Sequence, residues 1–472
     1  MRRVLIFVPD GTGLRNYLFS DIPSLLISQG AEVSLVTSLP DSAVAEVEKV
    51  HGCKFKVYPV PYYKESFFEK FFRELETISR LRFFSKKLKN PELIPDYEWG
   101  KLLKYRRTFL LWLFYFFIKF ISRVTSNYPL ILKINRKYQN RVLRSSYIKS
   151  YYNLVDRLKP DVVLCTHQRA LFASPFFLAA RKRGVKTVTA VYSWDNLPKA
   201  RMPLRADKYL VWSSYMKDEM KLYYPEIPES DVIITGTPQF EFYNKEDLLM
   251  SKEQFFREYH LDFSRSVICY SGGDLRTSPY DHIYLDHIAC ELQVIEKEDR
   301  PLIFFRRSPV DVSDRFVNVL NRYPEDIISV DPLWKTALGS GGDTIISFPL
   351  YEDVKLLVNI ALHCNVVCNV GSTMAHDYSM FDKPACYINY NPVEKNGYYS
   401  VDKIYRYQHF RSMPTDKVVE WINSRDEIRG KIMNSINDPS KVAVDRKKWL
   451  MKIVHQPVDE ASLNIVSFLM TV

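Results

Sequence analysis

The stretch NVGSTMAHDYSMFDKPACYIN, residues 369–389, combines residue types that bind anions and hydroxyl groups. Gly371 follows a short apolar run and lets a ligand approach the backbone closely. Ser372 or Thr373 begins a predicted helix, whose free N–H groups and dipole favour an anion. Asp377 lies one turn later on the face of Thr373, where a carboxylate can accept hydrogen bonds from sugar hydroxyls. A capped helix with a solvated aspartate is the alternative, and the spacing alone does not decide between them.

The opposite face of this predicted helix is apolar and suited to packing. Met374, Tyr378 and Phe381 recur at i, i+4 and i+7, which places them on one side of the helix. His376 lies between the two faces and is assigned no chemical role. We therefore expect the helix to pack on one side and to meet a ligand on the other.

Further candidates for ligand contacts follow three other apolar runs with strand character. YSGGD places Gly272 and Gly273 where backbone N–H groups can cradle a phosphate, although a Gly-Gly pair also makes a tight turn. FFRRSP places two adjacent arginines at a strand end, where neighbouring side chains point to opposite faces. Arg307 is the predicted phosphate ligand, and a surface ion pair is the alternative. In SFPLYEDVKLL, Leu350 and Tyr351 are the candidates for a nucleobase contact.

Three loops in the first half of the chain carry groups that can hold or activate a second substrate. A general base must lie within hydrogen-bond reach of the hydroxyl that it deprotonates. Asp10 in PDGTGLRN and His167 in CTHQRA each follow a predicted strand, so both are candidate bases. Asp10 can equally cap the first helix, and His167 can be structural. Asn16, Asp195 and Asn196 are predicted to face an acceptor.

The elements that must position these residues alternate between strands and helices. The first forty residues indicate a strand, a turn-rich loop, a helix that ends at Gly30 and a second strand, which together imply a parallel sheet. The alternation resumes after residue 150 and again after residue 265. We predict an α/β fold with two doubly wound, Rossmann-like domains facing a cleft. Ligands are expected at the carboxyl ends of the strands.

The domain boundaries are predicted from this alternation. Residues 1–245 are predicted to form an N-terminal domain, residues 246–455 a C-terminal domain and residues 456–472 a final helix. The family resemblance described below implies that the first domain binds an acceptor and the second a nucleotide-sugar donor. Residues 62–150 are predicted to be a helical, basic and aromatic insertion in the first domain. A length of 472 residues agrees with this division, since domains average roughly 100–200 residues.

The insertion concentrates the positive charge of the chain. Residues 80–150 carry seventeen Lys or Arg and three acids, whereas the whole chain has a net charge of +11. The block FLLWLFYFFIKFI, residues 109–121, has an unbroken apolar run of ten residues. That run is too short to cross a bilayer, which needs about 20 residues. Cations flank the block at Lys101, Lys104, Arg106, Arg107, Lys119 and Arg123.

Basic flanks around an aromatic block favour a helix lying on an anionic membrane surface. A helix buried against the first domain is the alternative. Nucleic acid is not an expected partner, because the aromatic residues form one block rather than spaced stacking platforms.

Several other kinds of site are not expected. Cys364 and Cys368, with His363 adjacent, lack a second ligand pair, so no metal site is predicted. GTGLRN lacks the third glycine of the dinucleotide fingerprint, and no cofactor is predicted.

The apolar run in MRRVLIFVPDG ends at Pro9 and is too short for a signal peptide. We therefore expect a cytoplasmic protein that is peripheral at the inner membrane.

The stretch GSTMAHDYSMFDKP resembles the donor-binding motif of GT-B glycosyltransferases, roughly Gly-Ser-Thr-x-x-x-Glu-Ala-x-x-x-Gly-x-Pro. The resemblance implies that Ser372 and Thr373 hold the donor diphosphate and that Asp377 binds the ribose. The chain departs from the motif with Asp377 in place of Glu, Tyr378 in place of Ala and Asp382 in place of Gly. VYSWDNLPKA and VIITGTPQFEFY are similar, in this order, to segments of bacterial surface-polysaccharide transferases of the capsule, lipopolysaccharide and teichoic-acid types.

The resemblance implies a metal-independent glycosyltransferase that moves a sugar from a nucleotide-sugar donor. The implied acceptor is a lipid-linked or growing surface polysaccharide at the cytoplasmic membrane face. A CDP-glycerol-type polyol-phosphate transferase stays open, although Ser308-Pro309 replaces its usual His-Pro pair. A soluble nucleotide-sugar 2-epimerase of the same fold also stays open, but it would not need the basic insertion. A catalytically inactive binding subunit is a further alternative.

Overall fold

A computed structural model of the chain describes residues 1–93, 108–275, 277–340, 345–393 and 399–472. The described residues form two parallel sheets, one in each half of the chain, and a two-stranded antiparallel hairpin. The strands are β1 Arg3–Val8, β2 Glu32–Thr37, β3 Lys56–Pro59, β4 Val162–Cys165, β5 Lys186–Ala190, β6 Lys208–Val211, β7 Val232–Ile234, β8 Val267–Ser271, β9 Leu302–Arg306, β10 Ile327–Ser329, β11 Trp334–Leu338, β12 Ile345–Pro349, β13 Val366–Asn369, β14 Ala385–Ile388 and β15 Glu420–Ile422.

The first sheet has the strand order β3-β2-β1-β4-β5-β6-β7, and all neighbours are parallel. Strand β1 is apolar on both faces because helices cover both sides of the sheet. The strand order changes direction between β1 and β4, so a crevice opens beyond their carboxyl ends. Asp10 follows β1 there, and His167 follows β4.

The second sheet repeats this plan with the order β10-β9-β8-β13-β14-β15. Its change of direction lies between β8 and β13, which are followed by Gly272 and Gly371. The hairpin of β11 and β12 reaches the first domain, where Ser340 N–H donates to the carbonyl of Ser38 at 3.0 Å. The predicted α/β fold with two doubly wound domains is confirmed.

Helices cover both sheets. They are α1 Gly11–Gly13, which continues as a π-helical turn Leu14–Leu18, α2 Ile22–Ser28, α3 Asp41–His51, α4 Phe67–Lys87, α5 Phe109–Thr125, α6 Tyr128–Leu143, α7 Ile148–Leu158, α8 Ala173–Lys182, α9 Ser214–Tyr223, α10 Lys252–Glu258, α11 Asp281–Leu292, α12 Val317–Arg322, α13 Tyr351–His363, α14 Met374–Met380, α15 Val401–Ile404, α16 Ile428–Asn437, α17 Arg446–Ile453 and α18 Ala461–Thr471. The predicted stop at Gly30 agrees with the end of α2, since Gly30 follows with a φ of 79°.

The basic, aromatic insertion contains α4, α5 and α6, with α4 in contact with both others. Leu75, Ile78, Ile118 and Ile134 form a small core among the three helices. The predicted cations Lys101, Lys104, Arg106 and Arg107 lie outside the described residues. Within the described ranges, no helix combines the length and apolar character required to cross a bilayer.

A buried ion network fixes the insertion to the first sheet. Arg80 on α4 is 1% exposed, and its guanidinium donates to the carbonyl of Tyr223 at 2.7 Å. It pairs with Glu76 at 3.2 Å and with Glu226 at 3.1 Å, and Arg205 pairs with the same two carboxylates. A buried guanidinium needs such partners, because an unpaired buried charge is costly. The insertion therefore has a defined position on the domain.

Candidate functional site

A cavity of about 390 Å³ lies between the two sheets, at the carboxyl ends of their strands. Several predicted ligand residues line it, namely Asn16, Gly272, Gly273, Arg307, Gly371, Ser372, Thr373 and Asp377. The remaining candidates do not line it, namely Asp10, His167, Asp195, Asn196, Leu350 and Tyr351. The two halves of the chain therefore contribute to one site, as expected for facing doubly wound domains.

Asp377 on α14 is the buried carboxylate of this cavity. Its side chain faces the cavity although the residue is only 8% exposed. Burial raises the pKa of Asp377 to about 6, and the neighbouring Tyr243 hydroxyl and the charges of Arg15 and Arg306 limit this rise. The carboxylate is therefore ionised at neutral pH and is available to hydroxyl donors on a ligand.

The start of α14 is organised by short-range hydrogen bonds. Ser372 N–H donates to Oδ1 of Asn369 at 2.9 Å, and Oγ of Ser372 accepts from Met374 N–H at 3.3 Å. Thr373 is the residue before the helix, and its hydroxyl accepts from Nε1 of Trp194 at 3.3 Å. The first domain thus contacts the predicted donor-binding helix directly.

Gly371 has a φ of 64°, a left-handed conformation that glycine adopts without strain. A Cβ atom at this position would lie 2.8 Å from Cζ of the buried Phe410 ring. We expect Gly371→Ala to destabilise the protein by about 1–3 kcal/mol. It should also weaken ligand binding, because the start of α14 must shift. Thermal denaturation with and without a nucleotide measures both effects.

Gly430 offers a matched control for this substitution. It lies inside α16, and a Cβ atom there would have no neighbour within 4 Å. Gly430→Ala is expected to stabilise the protein by about 0.5–1 kcal/mol, since alanine favours the helix. If both variants melted at the temperature of the wild-type protein, the strain assigned to residue 371 would be wrong.

Three arginines line the cavity, and their partners differ. Arg306 is held by Asp353, whose two oxygens accept from Nη2 at 2.9 and 3.0 Å. Arg307 pairs at 2.9 Å with Asp331, which is 73% exposed and well solvated. Arg15, in the π-helical turn Leu14–Leu18, was not among the predicted ligands. A cation in the segment PDGTGLRN, which also carries Asp10 and Asn16, was the signal that could have identified it.

The Gly272–Gly273 turn does not form the predicted cradle of N–H groups. Gly272 N–H donates to the carbonyl of Arg306 at 3.0 Å, and Gly273 N–H donates to the carboxylate of Asp281 at 2.5 Å. Both donors are therefore used within the protein. The prediction has to be corrected on this point, because a buried carboxylate takes the place that a phosphate was expected to occupy. The turn still lines the cavity with backbone alone.

Asp10 and His167, the two candidate bases, form a pair. Oδ2 of Asp10 lies 2.5 Å from Nδ1 of His167, and Oδ1 accepts from Gly13 N–H at 2.8 Å. Burial raises the pKa of Asp10, but the hydrogen bond and charge of His167 outweigh it, so the pKa of Asp10 is lowered. Asp10 therefore stays ionised and accepts Nδ1–H of His167.

In the neutral form of His167 this hydrogen bond selects the tautomer with the lone pair on Nε2. Nε2 of His167 is buried and has no hydrogen-bond partner among the described residues. The ring lies 3.9 Å from the ring of Tyr192, which lines the cavity. Asp10 and His167 thus form an oriented pair next to the cavity, and their role as a base stays a prediction.

Asp195 and Asn196 hold the loop after β5 in place. Asp195 pairs with Lys199 and accepts from the hydroxyl of Ser193 at 2.7 Å. Oδ1 of Asn196 accepts from Arg169 at 2.9 Å, and Asn196 is 1% exposed. These partners are all within the first domain, and neither residue lines the cavity. Their assignment to the acceptor stays a prediction.

Trp194, on the same loop predicted to face the acceptor, joins the two domains. Its ring packs edge-on against His376 at 5.3 Å and against Trp449 at 5.7 Å. His376 is fully buried, and burial lowers its pKa to about 3, so it is neutral. A tryptophan between a predicted strand and a polar loop was the signal, but its partners are distant in sequence.

Asn16 and the two predicted nucleobase contacts have different surroundings. Nδ2 of Asn16 donates to Gln239 at 2.9 Å, and both residues line the cavity. The ring of Tyr351 meets Phe19 of the first domain edge-on at 5.4 Å, outside the cavity lining. Leu350 is also outside the lining. A nucleobase role for Leu350 and Tyr351 stays a prediction.

Comparison with known proteins concerns the architecture. No family model matches the sequence, and no curated protein matches it significantly. The UDP-GlcNAc 2-epimerase from Neisseria meningitidis, bound to UDP-GlcNAc, is similar with a TM-score of 0.53 at 12% identity, with 100% of both chains covered. A glycosyltransferase from Rickettsia africae has a TM-score of 0.50 at 8% identity, with 100% of this chain and 99% of that chain covered.

The chain has the GT-B fold. A putative UDP-N-acetylglucosamine 2-epimerase from Listeria monocytogenes is similar in the same way, with a TM-score of 0.53 at 9% identity, covering 99% of this chain and 96% of that chain. At these identities the likeness concerns the fold, and the activity has to be argued from the site.

Proposed function

We propose that the chain is a glycosyltransferase that takes a sugar from a nucleotide-sugar donor and passes it to an acceptor hydroxyl. The observation that carries this proposal is the pairing of a buried carboxylate with cations in one interdomain cavity. Asp377 offers oxygen atoms to the ribose hydroxyls, and Arg15 and Arg307 offer positive charge to the diphosphate. A nucleoside diphosphate carries both kinds of group at the matching ends of one molecule.

His167 acts as the general base in this proposal, and Asp10 positions it. The acceptor oxygen attacks the anomeric carbon while the bond from that carbon to the diphosphate oxygen breaks. In this proposal Tyr192 moves aside so that the acceptor hydroxyl reaches the buried Nε2 of His167. Nε2 takes the hydroxyl proton, and the nucleoside diphosphate leaves with the bonding electron pair. Arg15 and Arg307 stabilise the charge that develops on the leaving diphosphate.

The acceptor is proposed to be a lipid-linked or polysaccharide hydroxyl of a bacterial surface glycan. This part rests on the sequence resemblance around SWDNL and TGTPQF. Asn16 and Gln239 are the first-domain amides that line the cavity and can bind an acceptor hydroxyl. A panel of lipid-linked and oligosaccharide acceptors would identify the class.

The test of the proposal begins with donor binding. Uridine, cytidine and guanosine sugars are added singly to the purified chain, and its melting temperature is measured. A ligand that binds the folded protein raises the melting temperature in proportion to its occupancy. We expect an increase with at least one donor, and no increase with any of them would overturn the proposal.

A nucleotide-sugar 2-epimerase is the second candidate, favoured by the Neisseria meningitidis and Listeria monocytogenes neighbours. The two activities differ in their need for an acceptor. An epimerase converts the donor to its 2-epimer without any acceptor, whereas a transferase releases nucleoside diphosphate only as the acceptor is consumed. NMR spectra of UDP-GlcNAc incubated with the chain alone would distinguish them.

A further inference from the structure

Helix α5, Phe109–Thr125, presents an apolar face that no described residue covers. Its exposed apolar side chains are Phe109, Leu110, Phe116, Phe117, Phe120 and Val124, each between 45% and 77% exposed. At 3.6 residues per turn they fall within about one third of the helix circumference. Tyr115, Ile118 and Ser122 are buried on the opposite side, towards α4.

The exposed face continues onto the start of α4. Phe67 and Phe68 are 64% and 51% exposed, and their rings lie 5.5 Å apart. The ring of Phe67 also lies 5.5 Å from that of Phe114 on α5. We call the six exposed apolar side chains of α5, together with Phe67 and Phe68, the aromatic face. Monomeric soluble proteins rarely leave a contiguous apolar patch on two helices without a partner.

Cations of α6 lie along one edge of the aromatic face, at the start of α4. Residues 99–155 contain twelve Lys or Arg and no Asp or Glu. Arg141 on α6 lies 5.0 Å from the ring of Phe68, and Lys137 lies 5.7 Å from the ring of Phe72. Lys133 and Arg136 are exposed on the same helix. A partner for this surface must therefore combine an apolar interior with a negatively charged boundary.

Of the two partners that could cover the aromatic face, only one provides both kinds of chemistry. A second copy of the chain would bring the same acid-free segment against itself, and the like charges would repel. An anionic lipid bilayer offers hydrocarbon to the phenyl rings and phosphate groups to the cations in one surface. The helix has 17 residues and packs on α4 with one side while its apolar side stays exposed, which suits a position in the plane of the interface.

We infer that the aromatic face is a docking surface for an anionic lipid bilayer, into which α5 inserts its exposed phenyl rings without crossing. The Arg80 network holds α4 rigidly on the first domain, so docking orients the whole chain on the membrane. This inference does not depend on the proposed transferase activity, because lipid binding and donor binding use separate residues.

Vesicle flotation tests the inference. The full chain is mixed with phosphatidylcholine vesicles that contain about 30% phosphatidylglycerol, or none. We expect binding to the anionic vesicles and at least about a tenfold loss of binding in the triple variant Phe116→Glu, Phe117→Glu, Phe120→Glu. A second variant, Lys133→Gln, Lys137→Gln, Arg141→Gln, should weaken binding to the anionic vesicles and make the remaining binding less sensitive to salt than that of the wild-type chain.

A charge-matched control uses exposed apolar residues elsewhere, with Phe263→Glu, Val294→Glu and Val312→Glu. This control should bind as the wild-type chain does, and donor-induced melting shifts should be equal in all variants. Equal vesicle binding by the control and the aromatic-face variant would overturn the inference. A wild-type chain that does not bind the vesicles, for example because it pairs with a second copy, would also overturn the inference.

Discussion

Replacing His167 by alanine is expected to lower kcat of the transferase reaction by about 10²- to 10⁴-fold, the usual contribution of a positioned general base. Nε2 of His167 is the only nitrogen in the Asp10–His167 pair that can accept a proton, since Nδ1 is committed to Asp10. KM for the donor should change little, because His167 does not line the cavity that holds it. Initial rates of nucleoside diphosphate release, measured with saturating acceptor, give both constants.

Asp10→Asn separates positioning from catalysis in the same pair. The asparagine oxygen can still accept from Gly13 N–H. Its amide nitrogen then lies opposite Nδ1 of His167, and an amide nitrogen cannot accept Nδ1–H. The histidine then favours the other tautomer, with the proton on Nε2, and kcat falls while the fold is kept. The opposite result, a fully active Asp10→Asn, would show that the tautomer does not matter.

His260→Asn is the matched control for these variants. His260 is exposed, does not line the cavity, and has a φ of 53°, which asparagine also tolerates. The kcat of the His260→Asn variant is expected to equal that of the wild-type chain. If His167→Ala retained full kcat as well, the base would lie elsewhere and the proposed mechanism would be wrong.

The second large effect concerns Asp377→Asn, which is expected to weaken donor binding by about 10- to 100-fold. Hydrogen bonds to a charged group contribute about 1.5–3 kcal/mol each, and the substitution replaces a carboxylate by a neutral amide of the same shape. Isothermal titration with an intact nucleotide sugar measures the change. Asp382→Asn, at the end of the same helix with a φ of 57°, is the control and should bind normally.

The pKa of Asp377 adds a pH dependence with a defined sign. Burial raises this pKa to about 6 in the folded chain, above its ordinary value of 3.8. Donor affinity should therefore fall as the pH decreases through 6, because the protonated acid is a poorer acceptor. The Asp377→Asn variant should show no such decrease.

The same shift affects the stability of the folded chain in the opposite direction. A raised carboxyl pKa favours folding at low pH, and this contribution is lost as the pH rises from about 4 to about 6. At pH 7.5 the wild-type chain contains a buried charge that Asp377→Asn lacks. The variant is thus expected to melt at a higher temperature while it binds the donor less tightly. A variant that melted lower and bound normally would assign Asp377 to structure alone.

The secondary structure of the site was predictable because local patterns determine it. The apolar run that ends at Gly371, the positive φ of that residue and the short helix with Asp377 all follow from neighbouring residues. The strand-end positions of Asp10 and His167 were predictable for the same reason. Their pairing was not, since 157 residues separate them and only the sheet order brings β1 beside β4.

The partners of buried polar groups were the least predictable features. The sequence predicted that the N–H groups of Gly272 and Gly273 bind a phosphate. In the structure, Gly273 N–H instead donates to the carboxylate of Asp281, eight residues further along the chain. Trp194 belongs to a loop predicted to face the acceptor, yet its indole donates to Thr373 across the domain boundary. Such contacts depend on tertiary packing of elements far apart in the chain, which periodicity does not encode.

A crystal structure of the chain with the nucleotide sugar that raises its melting temperature most would test the central claim directly. We predict that the ribose hydroxyls lie within hydrogen-bond distance of the Asp377 carboxylate and that the diphosphate contacts Arg15 or Arg307. The sugar should lie on the side of the cavity nearest Tyr192, next to His167. A nucleotide bound outside this cavity, or bound within it without contact to Asp377, would contradict the account.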